Sequence, residues 1–422
     1  MQPSIPMIDM CAGVGTFSHA NSFIKESPFD FIGCSEVEPF CNRVLSKHGH
    51  DLLGPLEWIG MRENENPICQ LSEELDEPSV EVTGISTITL EDLMEGVVPW
   101  PKGLVAGFPC QNVSPCSVSD LSGIEGEKSQ IIHQILDFAD NFEVDYLVLE
   151  NSSQLCNRGL DVILARLDDL GYAAEWEIVS APHFGYPFFR ARTFIVAYRT
   201  GTAPLALNQQ VFSRVEQFAK FKPGDKFPTI EAHSEDMIQR ARTLETKGNF
   251  RRDRVGAMGN GILLDIAIAI LTALAEVINE AATEARVSLN FERPNQPFSI
   301  ADLALNKAGY RQMPKRGFMY QGEYFTDTPN RLLNPAASSY KDIGMLPALL
   351  RSDMKNNFTS KSRTNRPGTL GGLVGSLTTN FGFQEGGLNP DYTDELMGFV
   401  AGHTAVTKDS SPSYTFKLPN SL

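Results

Sequence analysis

Short apolar runs that alternate with amphipathic stretches constrain the fold of this chain most strongly. The run Gly103–Gly107 has the length and composition of a buried strand, and residues 144–149 have the same character. Between them, residues 129–142 carry apolar side chains at helical spacing. Strands that alternate with helices are typical of α/β proteins. We therefore predict an α/β fold built around a largely parallel sheet.

The residues that follow the first of these runs, Gly107-Phe-Pro-Cys-Gln-Asn-Val-Ser114, indicate a reactive thiol. Open α/β sheets bind ligands at the carboxyl ends of their strands, where Cys110 is expected. Pro109 has a fixed φ and restricts the residue before it, so the turn is stiff. A lone cysteine is more often a buried structural residue. The polar neighbours Gln111 and Ser114 favour a nucleophile on a loop instead.

Charged residues follow two other predicted strands. Glu150 comes directly after residues 144–149, and a carboxylate deep at a strand end is costly unless it is hydrogen-bonded or functional. Arg190 and Arg192 lie in a loop before another apolar run and suit phosphate and carbonyl contacts. Because they alternate, they could point to opposite sides of an extended segment, or both into a wide cleft.

A nucleotide-type cofactor site is predicted near the N-terminus. A first strand over residues 5–9 leads into Gly13-x-Gly15 and a helical stretch over residues 19–24. Such glycines let a backbone approach a ligand closely. The second strand, Phe29–Ser35, ends in Glu36, which is well placed to accept hydrogen bonds from ribose hydroxyls. A second close-approach site, Gly259-Asn-Gly261, is predicted to open a long apolar helix over residues 262–278.

Charge and cysteine content narrow the class of protein. The net charge is −16, but residues 286–422 hold 15 basic and 11 acidic residues, a balance of +4, which leaves −20 for the rest. This asymmetry can mark a part that faces a polyanion, although chance clustering explains it equally well. The seven cysteines are odd in number and include no CxxC pair. We therefore expect neither a disulfide framework nor a metal site.

Two stretches interrupt the α/β pattern. Residues 51–98 are predicted to be an exposed acidic insertion, since eleven acidic residues and only Arg62 as a basic one occur between positions 57 and 95. Residues 201–250 are predicted to be a connector. No run approaches the roughly 18 apolar residues of a membrane span, and the N-terminus lacks the features of a signal peptide. A cytoplasmic location without membrane contact is expected.

Several motifs follow one another along the chain, namely Asp9-Met-Cys-Ala-Gly-Val-Gly-Thr-Phe-Ser18, the Pro-Cys-Gln stretch around Cys110, Gly126-Glu-Lys-Ser129, Glu150-Asn-Ser152, Arg190-x-Arg192-x-Phe194 and Gly259-Asn260. Their order is typical of the DNA cytosine-5 methyltransferase family, which the chain resembles over most of residues 5–285. The segment Leu388-Asn-Pro-Asp-Tyr-Thr-Asp-Glu-Leu-Met-Gly-Phe-Val-Ala-Gly402 is similar to one in phage-type members. The resemblance implies a Rossmann-like S-adenosylmethionine-dependent methyltransferase domain over residues 1–285. A smaller, loop-rich target-recognition domain would follow over residues 286–422, with 388–402 packing back onto the first.

The resemblance also implies roles for individual residues. Cys110 would add to C6 of a flipped-out cytosine, Glu150 would hold the N3 side, Arg192 would contact O2, and Arg190 would contact a phosphate or the loop that bears it. The residues implied in binding S-adenosylmethionine are Asp9, Cys11, Ala12, Gly13, Val14, Gly15, Glu36, Val37, Pro109, Asn260 and Ile262. The residues implied in binding double-stranded DNA are Gln111, Ser114, Lys128, Arg351, Arg363 and Arg366. A monomer is expected.

Three positions depart from the family pattern. Phe188 stands where the family usually has glutamine, residues 83–86 offer no acid for the adenine amine, and Val37 replaces a tryptophan that stacks on adenine. These changes are compatible with weak cofactor binding or with a cofactor that carries a bulkier or charged transferred group. The motifs as a whole are also compatible with a catalytically silent DNA-binding relative or with an RNA cytosine-5 methyltransferase.

Overall fold

The computed structural model describes most of the chain. The described residues are 4–56, 59, 88–110, 113, 123–126, 131–200, 210–221, 225–227, 229, 235–245, 248, 250–284, 297–326, 345–358 and 372–407.

A nine-stranded sheet in the order β2-β1-β3-β4-β7-β5-β10-β11-β9 organises these residues. The first four strands in that order are parallel, and each later strand is antiparallel to its neighbour. The predicted α/β fold is therefore confirmed, and it is Rossmann-like, but the sheet is mixed: three of its eight strand pairings are parallel and five are antiparallel. The strands of this sheet are β1 (Ile5–Met10), β2 (Phe29–Ser35), β3 (Gly103–Gly107), β4 (Tyr146–Ser152), β5 (Tyr172–Ser180), β7 (Ala191–Arg199), β9 (Pro297–Phe298), β10 (Arg316–Tyr320) and β11 (Glu323–Phe325).

Helices cover both faces of the sheet, and two short strand pairs lie beside it. β6 (Phe188–Phe189) pairs with β12 (Leu346–Pro347), and β8 (Arg242–Thr243) pairs with β13 (Gly387–Leu388). The helices are α1 (Thr16–Asn21), α2 (Pro39–Lys47), α3 (Leu90–Met94), α4 (Ile131–Asn141), α5 (Leu160–Asp169), α6 (Gln210–Phe218), α7 (Glu235–Arg240), α8 (Arg251–Asn260), α9 (Leu264–Glu284), α10 (Gly372–Phe381) and α11 (Pro390–Leu396).

The apolar residues of the central strands divide between two cores. In β4, Tyr146 and Val148 belong to the core under α9, whereas Leu147 and Leu149 belong to the core under α4 and α5. This alternation follows from the two-residue period of a strand, and burial of both faces explains why the strand is continuously apolar. Both faces of the sheet are therefore covered by apolar cores. Polar side chains can be presented where the strands end, between the two cores.

Three sequence predictions need correction. The predicted connector contains α6, whose Val211, Phe212 and Val215 are buried in the larger core. The described ends of the acidic insertion are partly packed: residues 94–97 are exposed, but the apolar side chains of Leu52, Leu53, Leu56, Ile59, Ile88 and Leu93 are buried. In both places, apolar residues spaced within a polar stretch were the sequence feature that indicated burial. The described residues 51–56, 59 and 88–98 are all that can be compared; the rest of the insertion lies outside them.

The third correction concerns Gly259-Asn260-Gly261. These residues end α8 rather than open the long helix, which begins only at Leu264. Within the described part of the chain, no single helix is long and apolar enough to cross a membrane. The bent pair of α8 with Leu264–Glu280 reaches the required length and composition, with a bend of 42° between the two.

Residues beyond position 286 take part in the central sheet. β10 pairs with β5 through Arg316↔Glu177, and β11 and β9 extend the sheet further. Residues 390–406 pack on α8 and α9. The sheet is therefore continuous across the predicted domain boundary, and a functional division at residue 286 stays a prediction.

Candidate active site

The carboxyl ends of three neighbouring parallel strands bring the candidate residues together. Met10 of β1 pairs with Ala106 of β3, and Gly107 of β3 pairs with Glu150 of β4. The turn after β1 carries the two predicted cofactor glycines, and the turn after β3 carries Cys110. In-register parallel strands end at one edge, so the proposed nucleophile, the carboxylate and the glycine turn share that edge.

Hydrogen bonds to the backbone hold the turn that presents Cys110. Asn151 Nδ2, at the end of β4, donates to the carbonyl of Phe108 at 3.1 Å. The Val113 N–H donates to the Cys110 carbonyl at 3.0 Å, and Arg158 Nη1 donates to the Val113 carbonyl at 3.2 Å. The turn is thus fixed on both sides of the cysteine.

Glu150 and Arg192 form a partly buried ion pair beside this turn. Arg192 Nε lies 3.0 Å from Glu150 Oε1, across the antiparallel pairing of β4 with β7. Burial raises the pKa of Glu150, and the charges of Arg192 and Arg190 act against that rise. A carboxyl group with a raised pKa is suited to hold or share a proton during a reaction near neutral pH.

The thiol of Cys110 is only partly exposed, and its burial raises its pKa. The charge of Arg192 is the main factor that lowers this pKa again, whereas the charge of Glu150 raises it. Burial therefore favours the thiol form of Cys110, and further positive charge or hydrogen-bond donors near the sulfur would favour the thiolate.

We predict that alkylation of Cys110 by iodoacetamide has a pH midpoint above that of the same cysteine in protein unfolded in urea. The thiolate is the reactive species, so a raised pKa moves the whole profile to higher pH. Glu150→Gln should move the midpoint down, because it removes the negative charge that raises the pKa of Cys110. Mass spectrometry of the peptide that contains Cys110 measures both profiles. A folded-state midpoint at or below the unfolded one would contradict the burial effect.

Arg190 has a different role from the predicted phosphate contact. Its side chain is 3% exposed, and its guanidinium donates to the carbonyls of Leu349 at 2.9 Å, Gly259 at 3.2 Å and Gly261. Burial lowers the pKa of Arg190 to about 9. The prediction of a phosphate contact is therefore corrected: Arg190 joins the start of β7 to the end of α8 and to Leu349, just after β12. Sequence spacing alone could not identify acceptors that lie 69 to 159 residues away.

The glycine turn after β1 has the open outer side that a cofactor needs. Gly13 has a φ of +57°, and apart from its two chain neighbours no described residue has an atom within 4 Å of the point where a Cβ would stand. Its N–H donates to Glu36 Oε2 at 2.7 Å, and Glu36 Oε1 accepts from the N–H groups of Val37 and Glu38 at 2.8 Å. Glu36 therefore fixes the turn, and its Oε2 keeps a further lone pair for the predicted ribose contact.

The other predicted cofactor residues differ in exposure. Val37 is 71% exposed beside Glu36, whereas the side chain of Val14 is buried in the larger core, so only its backbone could face a ligand. Asp9 is buried and accepts from the Ser18 N–H at 3.2 Å, in the first turn of α1; burial raises its pKa to about 7. Of the remaining positions, Asn260 is exposed, Cys11, Gly13 and Pro109 are half-buried, and Ala12, Gly15 and Ile262 are buried.

Gly259 lies against the backbone of the segment that precedes α10. A Cβ at this position would stand 2.3 Å from the Arg351 nitrogen and 2.4 Å from the Leu350 carbonyl carbon. Only glycine permits this approach. On the other side of the site, Ile262 Cδ1 lies 3.4 Å from the corresponding point at Gly107, so α8 and the following residues pack against the turn of Cys110.

We predict that Gly259→Ala lowers the free energy of unfolding by about 1–3 kcal/mol, the usual cost of overpacking a close contact. Urea denaturation measures the change. Gly261→Ala is the matched control, since its nearest atom, the Met258 carbonyl oxygen, is at 3.5 Å and its φ is −62°. An equal effect of the two substitutions would show that the contact with residues 350 and 351 is not the cause.

Most of the predicted DNA contacts lie outside the described residues, namely Gln111, Ser114, Lys128, Arg363 and Arg366. Arg351 is described, and its Nη2 lies 2.9 Å from Glu38 Oε1 in a half-exposed ion pair. A phosphate would compete with Glu38 for this guanidinium.

Phe188 stands where the family usually has glutamine. Its side chain is fully buried in the larger core, so it does not take the place of a polar contact at the site. Residues 83–86 also lie outside the described residues.

The groups around the glycine turn fit an organic cofactor. The open approach at Gly13, the exposed apolar surface of Val37 and the carboxylate of Glu36 suit the sugar and base of a nucleoside. Among the described residues, no group of three or more histidine, cysteine, aspartate or glutamate side chains could hold a metal ion.

Comparisons with known proteins agree with the resemblance to DNA cytosine-5 methyltransferases. A family model described as C-5 cytosine-specific DNA methylase matches residues 56–261. The Type II methyltransferase M.Sau3AI of Staphylococcus aureus is 30% identical over 203 residues, which are 46% of this chain and 43% of that protein. The chain therefore spans less than half the length of that relative.

Two further matches cover more of the chain. The Type II methyltransferase M.HpaII of Haemophilus parainfluenzae is 26% identical over 268 residues, 61% of this chain and 71% of that protein. A crystal structure of a putative DNA modification methyltransferase encoded within an E. coli prophage has a TM-score of 0.38 and 13% identity, and the match covers 65% of this chain and 100% of that one.

Proposed function

We propose that this chain, which belongs to the C-5 cytosine-specific DNA methylase family, transfers a methyl group from S-adenosylmethionine to C5 of a cytosine in double-stranded DNA. One observation carries the proposal: Cys110 and the Glu150–Arg192 pair share a sheet edge with a glycine turn that is open on its outer side. A nucleophile, a proton-holding carboxyl and a cofactor cradle are the three parts that this reaction needs.

Cys110 begins the reaction as a nucleophile. C5 of cytosine is too weakly nucleophilic to be methylated directly, so the Cys110 sulfur adds to C6 and forms an S–C6 bond, which makes the ring an enamine. The former C5–C6 π electrons are then available at C5, which makes C5 nucleophilic. S-adenosylmethionine, when bound, would supply an electrophilic methyl group there and would leave as S-adenosylhomocysteine. Loss of the C5 proton to water, return of the N3 proton to Glu150 and cleavage of the S–C6 bond restore the aromatic ring and release Cys110 as a thiolate.

Glu150 and Arg192 stabilise the charge that forms on the ring. Addition at C6 builds negative charge toward N3 and O2, and a carboxyl group with a raised pKa can donate its proton to N3. Arg192 orients Glu150 through the 3.0 Å ion pair and can donate to O2. The same positive charge lowers the pKa of Cys110 and favours the thiolate.

The cofactor would lie along the turn that Gly13 and Gly15 form. Glu36 would accept from its ribose, Val37 would cover part of its adenine, and Asn260 with Ile262 would close the other side. A cytosine inside a duplex cannot reach Cys110, so we propose that it is flipped out of the helix into this site. The predicted contacts of Gln111, Ser114, Lys128, Arg363 and Arg366 with DNA belong to the same proposal, with a monomer as the acting form.

A duplex that contains 5-fluorocytosine tests this function. With S-adenosylmethionine present, fluorine at C5 blocks the final elimination, so a covalent complex of protein and DNA that survives denaturing electrophoresis is expected. A duplex library is needed because the target sequence is unknown, and bisulfite mapping of DNA from cells that express the chain identifies the site. A protein that binds DNA without forming an adduct would be a silent relative. Methyl transfer to transfer RNA but not to DNA would make it an RNA methyltransferase.

A further inference from the structure

Arg254, in the middle of α8, binds the C-terminal part of the described chain through a buried network. Its Nη2 lies 2.6 Å from Asp391 Oδ1 and 2.9 Å from Asp394 Oδ2, and its Nε donates to Thr404 Oγ1 at 2.9 Å. Thr404 in turn donates from Oγ1 to Asp394 Oδ1 at 2.6 Å. We refer to residues 390–406 as the C-terminal brace. The network ties this brace to the helix that ends in Gly259-Asn260.

Asp394 is the centre of this network. Its side chain is 0% exposed, and its carboxylate also accepts from the Thr404 N–H at 3.2 Å. A buried charge of this kind is stable only when it is paired and hydrogen-bonded, so the position of the brace on α8 is strongly specified. The brace also reaches the start of α9, where the Leu264 N–H donates to the Met397 carbonyl at 3.1 Å.

The brace makes a second set of contacts at the end of α2. Lys47 Nζ donates to the carbonyls of Gly402 at 2.8 Å and His403 at 2.9 Å, and His48 Nε2 lies 2.9 Å from the His403 carbonyl. Leu45, two residues before Lys47 in α2, lies against Gly15: its Cδ2 is 2.7 Å from the point where a Cβ on that glycine would stand. The brace thus fixes the helix that supports the glycine turn.

Ring contacts continue to the helix that follows the glycine turn. The His403 ring stacks on His48 with centroids 4.1 Å apart and lies 4.7 Å from His19 of α1. Phe399 lies 5.8 Å from His19 in a stacked arrangement. Burial lowers the pKa of His403 to about 2, so the ring is neutral in the packed state. The two sides of the proposed cofactor site are therefore held by one segment that is far from both in sequence.

We propose that the C-terminal brace positions the two sides of the cofactor site relative to each other, with Arg254 and Asp394 as positioning residues for cofactor binding. On one side it holds α8 and Gly259-Asn260; on the other it holds α1 and α2, which flank the turn at Gly13 and Gly15. The inference rests on the proposed function, because it names the cofactor site as what is positioned. Loss of the Arg254–Asp394 contact separates the two sides without removing any residue that faces the cofactor.

Amide hydrogen exchange in the full chain tests the inference with Asp394→Asn and, as a milder variant that keeps side-chain volume, Thr404→Val. Exchange should become at least about tenfold faster, a local stability loss of about 1.4 kcal/mol, in peptides covering 11–20 and in peptides covering 254–262. The dissociation constant for S-adenosylhomocysteine should rise about tenfold in the same variants.

Glu216→Gln is the matched control. It weakens another ion pair of a buried arginine, between Arg316 of β10 and Glu216 of α6. In the sheet, four strands lie between β10 and β1. It should leave exchange at 11–20 and the dissociation constant within about twofold of the wild type, because distant sites are nearly independent. Each variant is measured well below its own melting temperature, so that global unfolding does not contribute to the exchange.

Faster exchange confined to 390–406, or an equal effect of Glu216→Gln on the glycine turn, would overturn the inference. If the wild-type chain bound no S-adenosylhomocysteine, the proposed function would fail. The inference that the brace positions the glycine turn relative to Gly259-Asn260 would then be tested only by amide exchange in peptides 11–20 and 254–262. Unchanged exchange in either peptide would refute it.

Discussion

Cys110→Ser is expected to reduce methyl transfer to DNA by on the order of 10⁴-fold or more, the scale on which removal of a covalent nucleophile acts. A serine hydroxyl is far less acidic than a thiol, and the burial that raises the pKa of Cys110 would act on a serine in the same direction. Incorporation of a labelled methyl group into duplex DNA measures the loss. The covalent complex with 5-fluorocytosine DNA should disappear at the same time.

Cofactor binding should survive this substitution, because Cys110 is assigned to the base and not to the cofactor. The matched control is Cys156→Ala, at a buried cysteine whose Sγ lies 3.8 Å from Thr193 Oγ1 beyond the end of β4. We expect it to cost stability but to leave turnover within a few-fold of the wild type. Retained methylation in Cys110→Ser, or its loss in Cys156→Ala, would refute the assignment of the nucleophile.

Glu150→Gln is expected to lower kcat by about 10²–10⁴-fold, the range for loss of a positioned acid or base. The amide keeps the shape of the side chain and can still accept from Arg192, but it has no proton to share with N3. Single-turnover methylation with saturating DNA and cofactor measures this change. The effect should fall on kcat more than on KM, since the lost interaction strengthens as charge forms on the ring.

Glu175→Gln is the control for Glu150→Gln. Glu175 is also a buried carboxylate of the central sheet, but it accepts from Tyr198 Oη at 2.9 Å and lies near the N-terminal end of α6. Its substitution should reduce stability, because the buried network loses a charge, while kcat stays within a few-fold. Comparable losses of kcat in the two variants would mean that general destabilisation, not proton sharing, explains the first.

The positions of the main catalytic candidates followed from local sequence. A buried strand followed by a stiff polar turn places Cys110 at the sheet edge, and the same reasoning places Glu150 at the end of the neighbouring strand. The two-residue and helical periods are local properties, so β1, β2, β3, β4 and α4 could be predicted closely, whereas α2 and α3 were not predicted. Helix ends were less exact: α1 begins at Thr16 and not at His19, because the Gly15 turn leads directly into it.

Two of the predictions that failed concern contacts between distant parts of the chain. Arg190 donates to carbonyls of residues 259, 261 and 349, which no spacing could single out. Gly259 was expected to face a ligand, yet the missing side chain makes room for the backbone of residues 350 and 351. In both cases the partner is a backbone group, which every residue has, so side-chain identity gives no signal.

The sequence by itself determined the α/β pattern and the chemistry at the sheet edge, because periodicity and turn residues act over a few positions. The tertiary structure decided how the cofactor site is held together. Arg254 meets Asp394 across 140 residues, and Lys47 meets the Gly402 carbonyl across 355. The Arg254–Asp394 pair depends on burial, which makes an unpaired charge costly, and burial exists only once the chain has folded. The Lys47 contact is exposed and depends on where the folded chain places the C-terminal brace.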